Sequence, residues 1–253
     1  MNPAAWNLFT KARKHYRSEI RQLIHRLPQL QSVQQKLINN RSPSYTVETP
    51  IVYNSALDDI TADSEIRLIL VADNPGRREQ ATENRRYLVG PSGKIAEKFF
   101  RDNPALHINF RANAIILNKT PIHTPRTVEL RDLCREYARI GGDTLETALA
   151  ESQLAMARLL LEFHRALLAD ENDTLPVWIT GYSEMKKGGV FEAYTNELKA
   201  LYAGTGLADR VFLYRHFSMN QFTIDLNRQA IGGESLDSSL KRIGAAYRKK
   251  YLF

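Results

Sequence analysis

The sequence predicts an α/β protein: a three-layer α/β/α sandwich with a central four-stranded parallel sheet. Two observations predict this fold class. Short apolar runs alternate with longer segments in which apolar residues recur at helical spacing. The first run, Ile66–Ala72, is almost continuously apolar, which is typical of a strand covered on both faces. Strands that alternate with helices form a parallel sheet through right-handed crossovers, with helices on both of its faces.

Two helices are predicted before the first strand. Residues 5–27 place apolar side chains such as Trp6 and Phe9 at helical spacing, and Leu30–Ile38 forms a second, shorter helix. Residues 40–64 are rich in Asn, Ser, Pro, Thr and Asp, which is typical of a long loop. We therefore predict a basic helical extension and loop over residues 1–64, and an α/β domain over residues 65–253.

The elements of the α/β domain follow from the same alternation of apolar runs and turn residues. The predicted strands are Ile66–Ala72, Ala112–Leu117, Pro176–Thr180 and Arg210–Tyr214. The predicted helices are Ser92–Arg101, Thr127–Ile140, Thr144–Leu168, Val190–Tyr202 and Ser235–Tyr247. Gly141 and Gly142 are expected to end the helix that precedes them.

The composition limits the class of protein. The 253 residues suffice for one large or two small domains, and a hydrophobic content of 43% suffices for a sizeable core. The longest apolar runs are too short to cross a bilayer, and the first residues lack the layout of a secretory signal. A single cysteine, Cys134, excludes an internal disulfide and a multi-cysteine iron–sulfur site. We expect a cytoplasmic monomer that needs no cofactor and has no membrane partner.

The net charge of +7 suggests a polyanionic partner such as DNA. Basic residues concentrate near both ends of the chain. The first group is Lys11, Arg13, Lys14, Arg17, Arg21 and Arg26, and the second is Lys241, Arg242, Arg248, Lys249 and Lys250. Basic helix faces of this kind can follow a phosphate backbone, although the solvated face of a basic protein has the same composition.

Polar side chains follow each predicted strand. These residues are Asp73, Asn74, Asn118, Tyr182, Ser183 and His216. Because an open parallel sheet binds ligands outside the carboxyl ends of its strands, we expect a site at this edge. The amide of Asn118 could read the edge of a base, or form a turn that holds its own loop. The imidazole of His216 could stabilise a developing anion or shuttle a proton, or be purely structural.

Four stretches of the chain together resemble the uracil-DNA glycosylase superfamily. Ala72–Gly76 and Tyr87–Gly93 are similar to a strand ending in Gly-x-x-Pro-Gly, followed by Pro-Phe-Val-Gly-x-Ser/Ala-Gly. Asn118 matches the asparagine of the family's second strand, and His216–Ser218 matches its closing His-Pro-Ser motif. The resemblance covers about residues 65 to 225 and implies the fold of that superfamily.

The resemblance implies roles for the matching residues. Asn74 aligns with the residue that positions or activates the attacking water. Asp73, the only carboxylate there, aligns with the Glu of the iron–sulfur branch and is the preferred water activator. Asn118 would bind the flipped base, and His216 would stabilise negative charge on the departing base.

Further residues are expected to contact the base or the DNA. Tyr87, Leu88 and Lys119 are expected at the base. The residues expected to approach the DNA are Gly90, Ser92, Gly93, Ser218 and Met219. Phe217, Met219 and Phe222 are candidates for the wedge that replaces the flipped base, and packing in the core is the alternative for each of them.

The chain also departs from the family. Leu88 replaces the base-stacking Phe, Phe217 replaces the Pro after the histidine, and Ala72 replaces the first Gly. The resemblance therefore implies a monofunctional DNA glycosylase for uracil or for another base, such as a modified cytosine of phage DNA, in base excision repair or antiviral defence. The alternatives are a catalytically silent DNA-binding module and a hydrolase of small nucleotides. No Gly-x-Gly-x-x-Gly follows a strand, which argues against a dinucleotide enzyme.

Overall fold

A parallel sheet forms the centre of the protein, in a computed structural model that describes residues 1–40, 44–140, 144–169 and 175–253. Its strands are β1 (Leu68–Ala72), β2 (Ala114–Asn118), β3 (Val177–Thr180) and β4 (Val211–Tyr214). All pairings are parallel, and the strand order is β2–β1–β3–β4. The predicted fold class is confirmed.

Helices cover both faces of this sheet. They are α1 (Pro3–Arg26), α2 (Leu30–Asn39), α3 (Pro91–Asp102), α4 (Glu129–Arg139), α5 (Thr144–Leu168), α6 (Glu192–Tyr202), α7 (Gln221–Arg228) and α8 (Leu236–Tyr251). Helices α1, α2, α4, α5 and α6 pack on the face that carries Ile69 and Val71. Helices α3, α7 and α8 pack on the face that carries Leu68 and Leu70. Both faces of β1 are therefore buried, which is why its sequence is continuously apolar.

The predicted bounds agree closely with the structure where apolar periodicity was strong. Helix α5 has the predicted bounds, and β1 begins two residues later than predicted. Gly141 and Gly142 lie outside the described residues. Helix α7 was not predicted, because its eight residues bury only Phe222 and Leu226 and therefore show little periodicity.

The N-terminal segment is part of the core. Helix α1 packs along α5, and its Phe9 and Tyr16 are fully buried in the same cluster as the sheet. Three residues of its basic group have internal partners: Arg13 donates to the Leu57 and Ile60 carbonyls, Arg17 pairs with Asp58, and Arg26 pairs with Glu151. Part of this positive charge therefore stabilises the fold itself.

Candidate functional site

A cleft of about 1620 Å³ lies at the carboxyl edge of the sheet. Most of the predicted site residues line it. These are Asp73, Asn74, Leu88, Gly90, Ser92, His216, Ser218 and Met219. They come from the loops after β1 and β4 and from the start of α3. Residues that are distant in sequence therefore meet in one cavity, as expected at this edge of a parallel sheet.

Asp73 is held at the wall of the cleft by three contacts. Its Oδ1 accepts from the Nζ of Lys119 at 2.5 Å, and its Oδ2 accepts from the hydroxyl of Thr127 at 3.1 Å. Gly181 lies against the carboxylate, since a Cβ built there would be 2.5 Å from Oδ1. The carboxylate is therefore fixed in place, while its side chain stays 15% exposed.

Asn74 is held by the loop that follows β2. Its Nδ2 donates to the Oγ1 of Thr124 at 2.9 Å and to the Thr124 carbonyl at 3.2 Å. Because the Thr124 carbonyl can only accept, the NH2 group of Asn74 must face it. The amide oxygen of Asn74 therefore faces Thr127, whose hydroxyl is 3.1 Å from Oδ1.

The hydroxyl of Thr127 thus faces two acceptors, Asp73 Oδ2 and Asn74 Oδ1, each at 3.1 Å. One hydroxyl has a single proton and can serve only one of them at a time. The other acceptor keeps a lone pair for a further donor. A water molecule in the cleft can supply that donor, so Asp73 and Asn74 together form a suitable position for a polarised water.

His216 presents a hydrogen-bond donor to the cleft. The backbone N–H of Ser218 donates to its Nδ1 at 3.0 Å, so the neutral ring carries its proton on Nε2. Burial lowers the pKa of His216, the charge of Lys119 lowers it further, and the charge of Asp73 opposes the decrease. The imidazole is therefore neutral near pH 7 and can donate from Nε2 to a developing negative charge.

Lys119 does not contact the cleft, which corrects its prediction as a base-binding residue. Its side chain is fully buried, and its Nζ donates to Asp73 and, at 2.6 Å, to the Thr180 carbonyl. The centre of the Phe191 ring lies 5.0 Å from the same Nζ. Burial lowers the pKa of Lys119, and the adjacent Asp73 opposes that decrease.

Asn118 lies on the cleft side of the sheet edge but is not part of the cleft wall. It pairs in register with Ala72, which lines the cleft, and its side chain is only 2% exposed. Neither its Nδ2 nor its Oδ1 has a hydrogen-bond partner in the described part of the chain. The cost of a buried amide without partners is relieved when a bound water or ligand supplies the missing hydrogen bonds.

Tyr87 is a core residue, which corrects its prediction as a base-stacking residue. Its ring is 1% exposed, and its hydroxyl contacts the Tyr16 hydroxyl at 2.6 Å and the Val52 carbonyl at 2.7 Å. The sequence shows an aromatic residue beside a glycine-rich loop, but not that α1 brings Tyr16 to meet it.

The loop after Tyr87 is tightly fixed. Leu88 has a left-handed backbone with a φ of 53°, and Arg111 donates to its carbonyl at 2.6 Å. Gly93 is buried directly against that carbonyl, since a Cβ built there would be 1.4 Å from the Leu88 oxygen. Gly93 therefore shapes the loop from inside and is not at the DNA surface as predicted, whereas Gly90 and Ser92 do line the cleft.

Glu79 is a buried carboxyl group of the cleft wall that the sequence analysis missed. It accepts from the Gly76 N–H at 2.9 Å and also bonds the backbone of Leu88 and Gly90. Burial is the main cause that raises the pKa of Glu79 to about 7, and Arg111 opposes the increase. Glu79 therefore links the loop after β1 to the loop before α3.

Of the three candidate wedges, only Met219 is in a position to act as one. Its side chain is 83% exposed beside the cleft, and its φ of 53° places it at the tip of a sharp turn. Phe217 and Phe222 are buried and stack on each other with ring centres 4.4 Å apart. For Phe217 and Phe222 the structure therefore selects packing in the core, the alternative that the sequence left open.

Basic side chains also line the cleft. They are Arg77, Arg78, Arg126 and Arg215. Arg77 lies over the ring of Tyr45 at 4.8 Å, and Arg215 is 3.4 Å from Asp225. Arginine side chains at the mouth of a cleft are suited to contact phosphates.

Thr127, Gly181 and Glu79 are the site residues that the sequence analysis did not assign. Thr127 is the first residue of a predicted helix, Gly181 directly follows the predicted strand Pro176–Thr180, and Glu79 lies among charged residues between the first predicted strand and the next helix. Only the position of Gly181 directly after a predicted strand could have suggested a role.

No family model matches the chain, and no curated protein matches it. In the described residues, no group of three His, Cys, Asp or Glu side chains could hold a metal ion. No helix within the described ranges has the length and apolar character needed to span a bilayer.

Proposed function

We propose that the protein is a monofunctional DNA glycosylase that hydrolyses the N-glycosidic bond of a flipped nucleobase and leaves an abasic site. One observation carries the proposal: a fixed pair of water acceptors, Asp73 and Asn74, shares a cleft with the free Nε2 donor of His216. Hydrolysis of this bond needs both, because a water must be oriented while the departing base gains negative charge.

The proposed reaction uses each group once. A water held by Asp73 and Asn74 attacks the anomeric carbon of the sugar, and its proton passes to Asp73. The bond between this carbon and the base nitrogen breaks, and its electron pair leaves with the base. The Nε2–H of His216 donates a hydrogen bond to the anionic base. The described cleft wall supplies no lysine for a Schiff base, since Lys119 is buried behind Asp73.

The substrate is proposed to be double- or single-stranded DNA with an extruded base. Met219 can fill the space that the base leaves, and the rim arginines can contact the phosphates on either side. The cleft of about 1620 Å³ exceeds the size of an ordinary small-molecule pocket, roughly 300–1000 Å³. This volume leaves room for a modified base, such as a phage-type modified cytosine, as well as for uracil. A defence role would follow from the first and a repair role from the second.

The proposal is tested with uracil-containing and modified oligonucleotides, followed by alkaline cleavage of abasic sites. We expect cleavage products with the natural protein. The Asp73→Asn/Asn74→Ala variant should bind DNA with unchanged affinity and yield no products. Glu83→Gln, which changes an exposed carboxylate of the same cleft, is the matched control and should yield wild-type amounts.

Two other results would each point to a different function. Salt-sensitive DNA binding with every base intact would show a silent DNA-binding module. Hydrolysis of free nucleosides or nucleotides, with none of polymeric DNA, would show a small-nucleotide hydrolase.

A further inference from the structure

The side chain of Lys119 is a fully buried cation beneath the cleft. It is 0% exposed, with its Nζ at 2.5 Å from Asp73 and at 2.6 Å from the Thr180 carbonyl. Its own backbone N–H also donates to the carbonyls of Ala72 and Asp73, each at 3.0 Å. Lys119 therefore holds the Asp73 residue at two points, the backbone and the carboxylate.

A buried charge requires compensation, because an ion loses its hydration when it is taken out of water. Asp73 supplies that compensation for Lys119, and Lys119 supplies it for Asp73. The two charges also act in opposite directions on His216. The ammonium favours the neutral imidazole, and the carboxylate favours the charged one. The pair thus connects a residue of the water position to the donor that His216 presents to the cleft.

We propose that Lys119 is a positioning residue that fixes the Asp73 carboxylate at the water position and offsets the effect of the Asp73 charge on His216. The geometry supports no direct contact between Lys119 and a substrate, so its effect passes through these two residues. The link to catalysis rests on the proposed glycosylase function. The link to Asp73 and His216 does not, and it can be measured without DNA.

The test replaces Lys119 with methionine, an unbranched side chain of similar length without a charge. The titration of His216 is followed by histidine-selective NMR in the free protein. We expect a higher pKa of His216 in Lys119→Met, because the charge of Asp73 then acts on the ring without opposition. Single-turnover release of the base should slow by about 100-fold, the size typical of a misplaced reacting group. Affinity for the same DNA should stay at the wild-type value.

Lys98→Met is the matched control. Lys98 is an exposed lysine of α3 that pairs with Asp102, and its replacement should change neither the His216 titration nor the rate of release. If Lys119→Met does not fold, the second variant is Lys119→Gln, a neutral side chain whose amide can donate to Asp73. The pKa of His216 should again be higher than in the natural protein, because the ammonium is absent.

Either of two results would overturn the proposal. One is a His216 titration that is the same with and without Lys119. The other is wild-type base release by a folded Lys119→Met variant. If the natural protein releases no base from any DNA, the proposed function fails, while the His216 titration still decides whether Lys119 positions these residues.

Discussion

At the residue scale, the hydroxyl of Thr127 has one proton for two acceptors, Asp73 and Asn74. It therefore leaves one of them free to accept from a water. We expect Thr127→Val to slow base release by up to about 100-fold, because valine keeps the shape but leaves Asp73 and Asn74 without their shared donor. Thr127→Ser keeps the hydroxyl and should restore most of the rate. Single-turnover kinetics of the three proteins measure this effect. Equal rates for the valine and serine variants would exclude a role for the hydroxyl.

Gly181 is needed for the position of Asp73. Its φ is 78°, and a Cβ there would be 2.5 Å from the carboxylate, so an alanine is both strained and too close. We expect Gly181→Ala to lower the free energy of unfolding by roughly 1–2 kcal/mol and to displace Asp73. Urea unfolding measures the first effect and base release the second. Gly188→Ala is the control, since its φ is 72° but no atom lies within 4 Å of its Cβ position. It should lose similar stability and keep its activity.

The sequence predicted residues that line the cleft better than it predicted the surroundings of the buried residues behind it. Asp73, Asn74 and His216 could be predicted, because each follows a strand whose apolar run is evident. The roles of Lys119 and Tyr87 could not be predicted, because they depend on residues that are distant in sequence. Lys119 reaches back to Asp73 and Thr180, and Tyr87 bonds to Tyr16 of α1.

At the scale of elements, Glu79 joins two loops of the cleft and makes stability depend on pH. The folded protein holds the Glu79 proton up to about pH 7, whereas an ordinary glutamate loses it near 4.5. The stability that comes from the neutral carboxyl is therefore complete below pH 4.5 and is lost as the pH rises through 7.

We expect Glu79→Gln, which cannot ionise, to remove this loss. When the pH rises from 5 to 8, the free energy of unfolding of the natural protein should fall relative to that of the variant by up to about 3 kcal/mol. His123 and His164, whose pKa values burial lowers to about 4, act in the opposite direction. They are present in both proteins and cancel in the comparison. Urea unfolding at both pH values measures the difference, and identical pH dependence of the two proteins would contradict it.

The elements themselves were predictable to the extent that each buries a continuous apolar face. Helix α5 and the strands of the sheet bury many residues, and their sequences show the corresponding periods. Helix α7 buries only Phe222 and Leu226, so its sequence shows too short an apolar face to predict a helix.

At the scale of the whole molecule, α1 belongs to the hydrophobic core. It buries six residues, among them Phe9 and Tyr16. Without α1, apolar side chains that it covers, such as Phe163 of α5 against Phe9, would lose their packing partners and become exposed to water. We expect a chain that starts at residue 29 to be unfolded. Circular dichroism and thermal melting test this prediction, and a cooperative transition at the wild-type temperature would contradict it.

The exposed basic residues of α1 can be tested separately from its packing. Lys11 and Lys14 are exposed. The Lys11→Gln/Lys14→Gln variant should therefore fold normally. If this face contacts DNA, the variant should bind DNA more weakly, with a smaller dependence of affinity on salt concentration. Unchanged affinity and salt dependence would assign this charge to the solvated surface alone.

The measurement that tests the central claim most directly is mass spectrometry of the bases released from a panel of genomic and phage DNAs. The natural protein should release one type of base, and the mass of that base identifies the substrate. The Asp73→Asn/Asn74→Ala variant should release none from the same DNA while it stays folded and bound. A folded, DNA-bound natural protein that leaves every base of the panel attached would contradict the account.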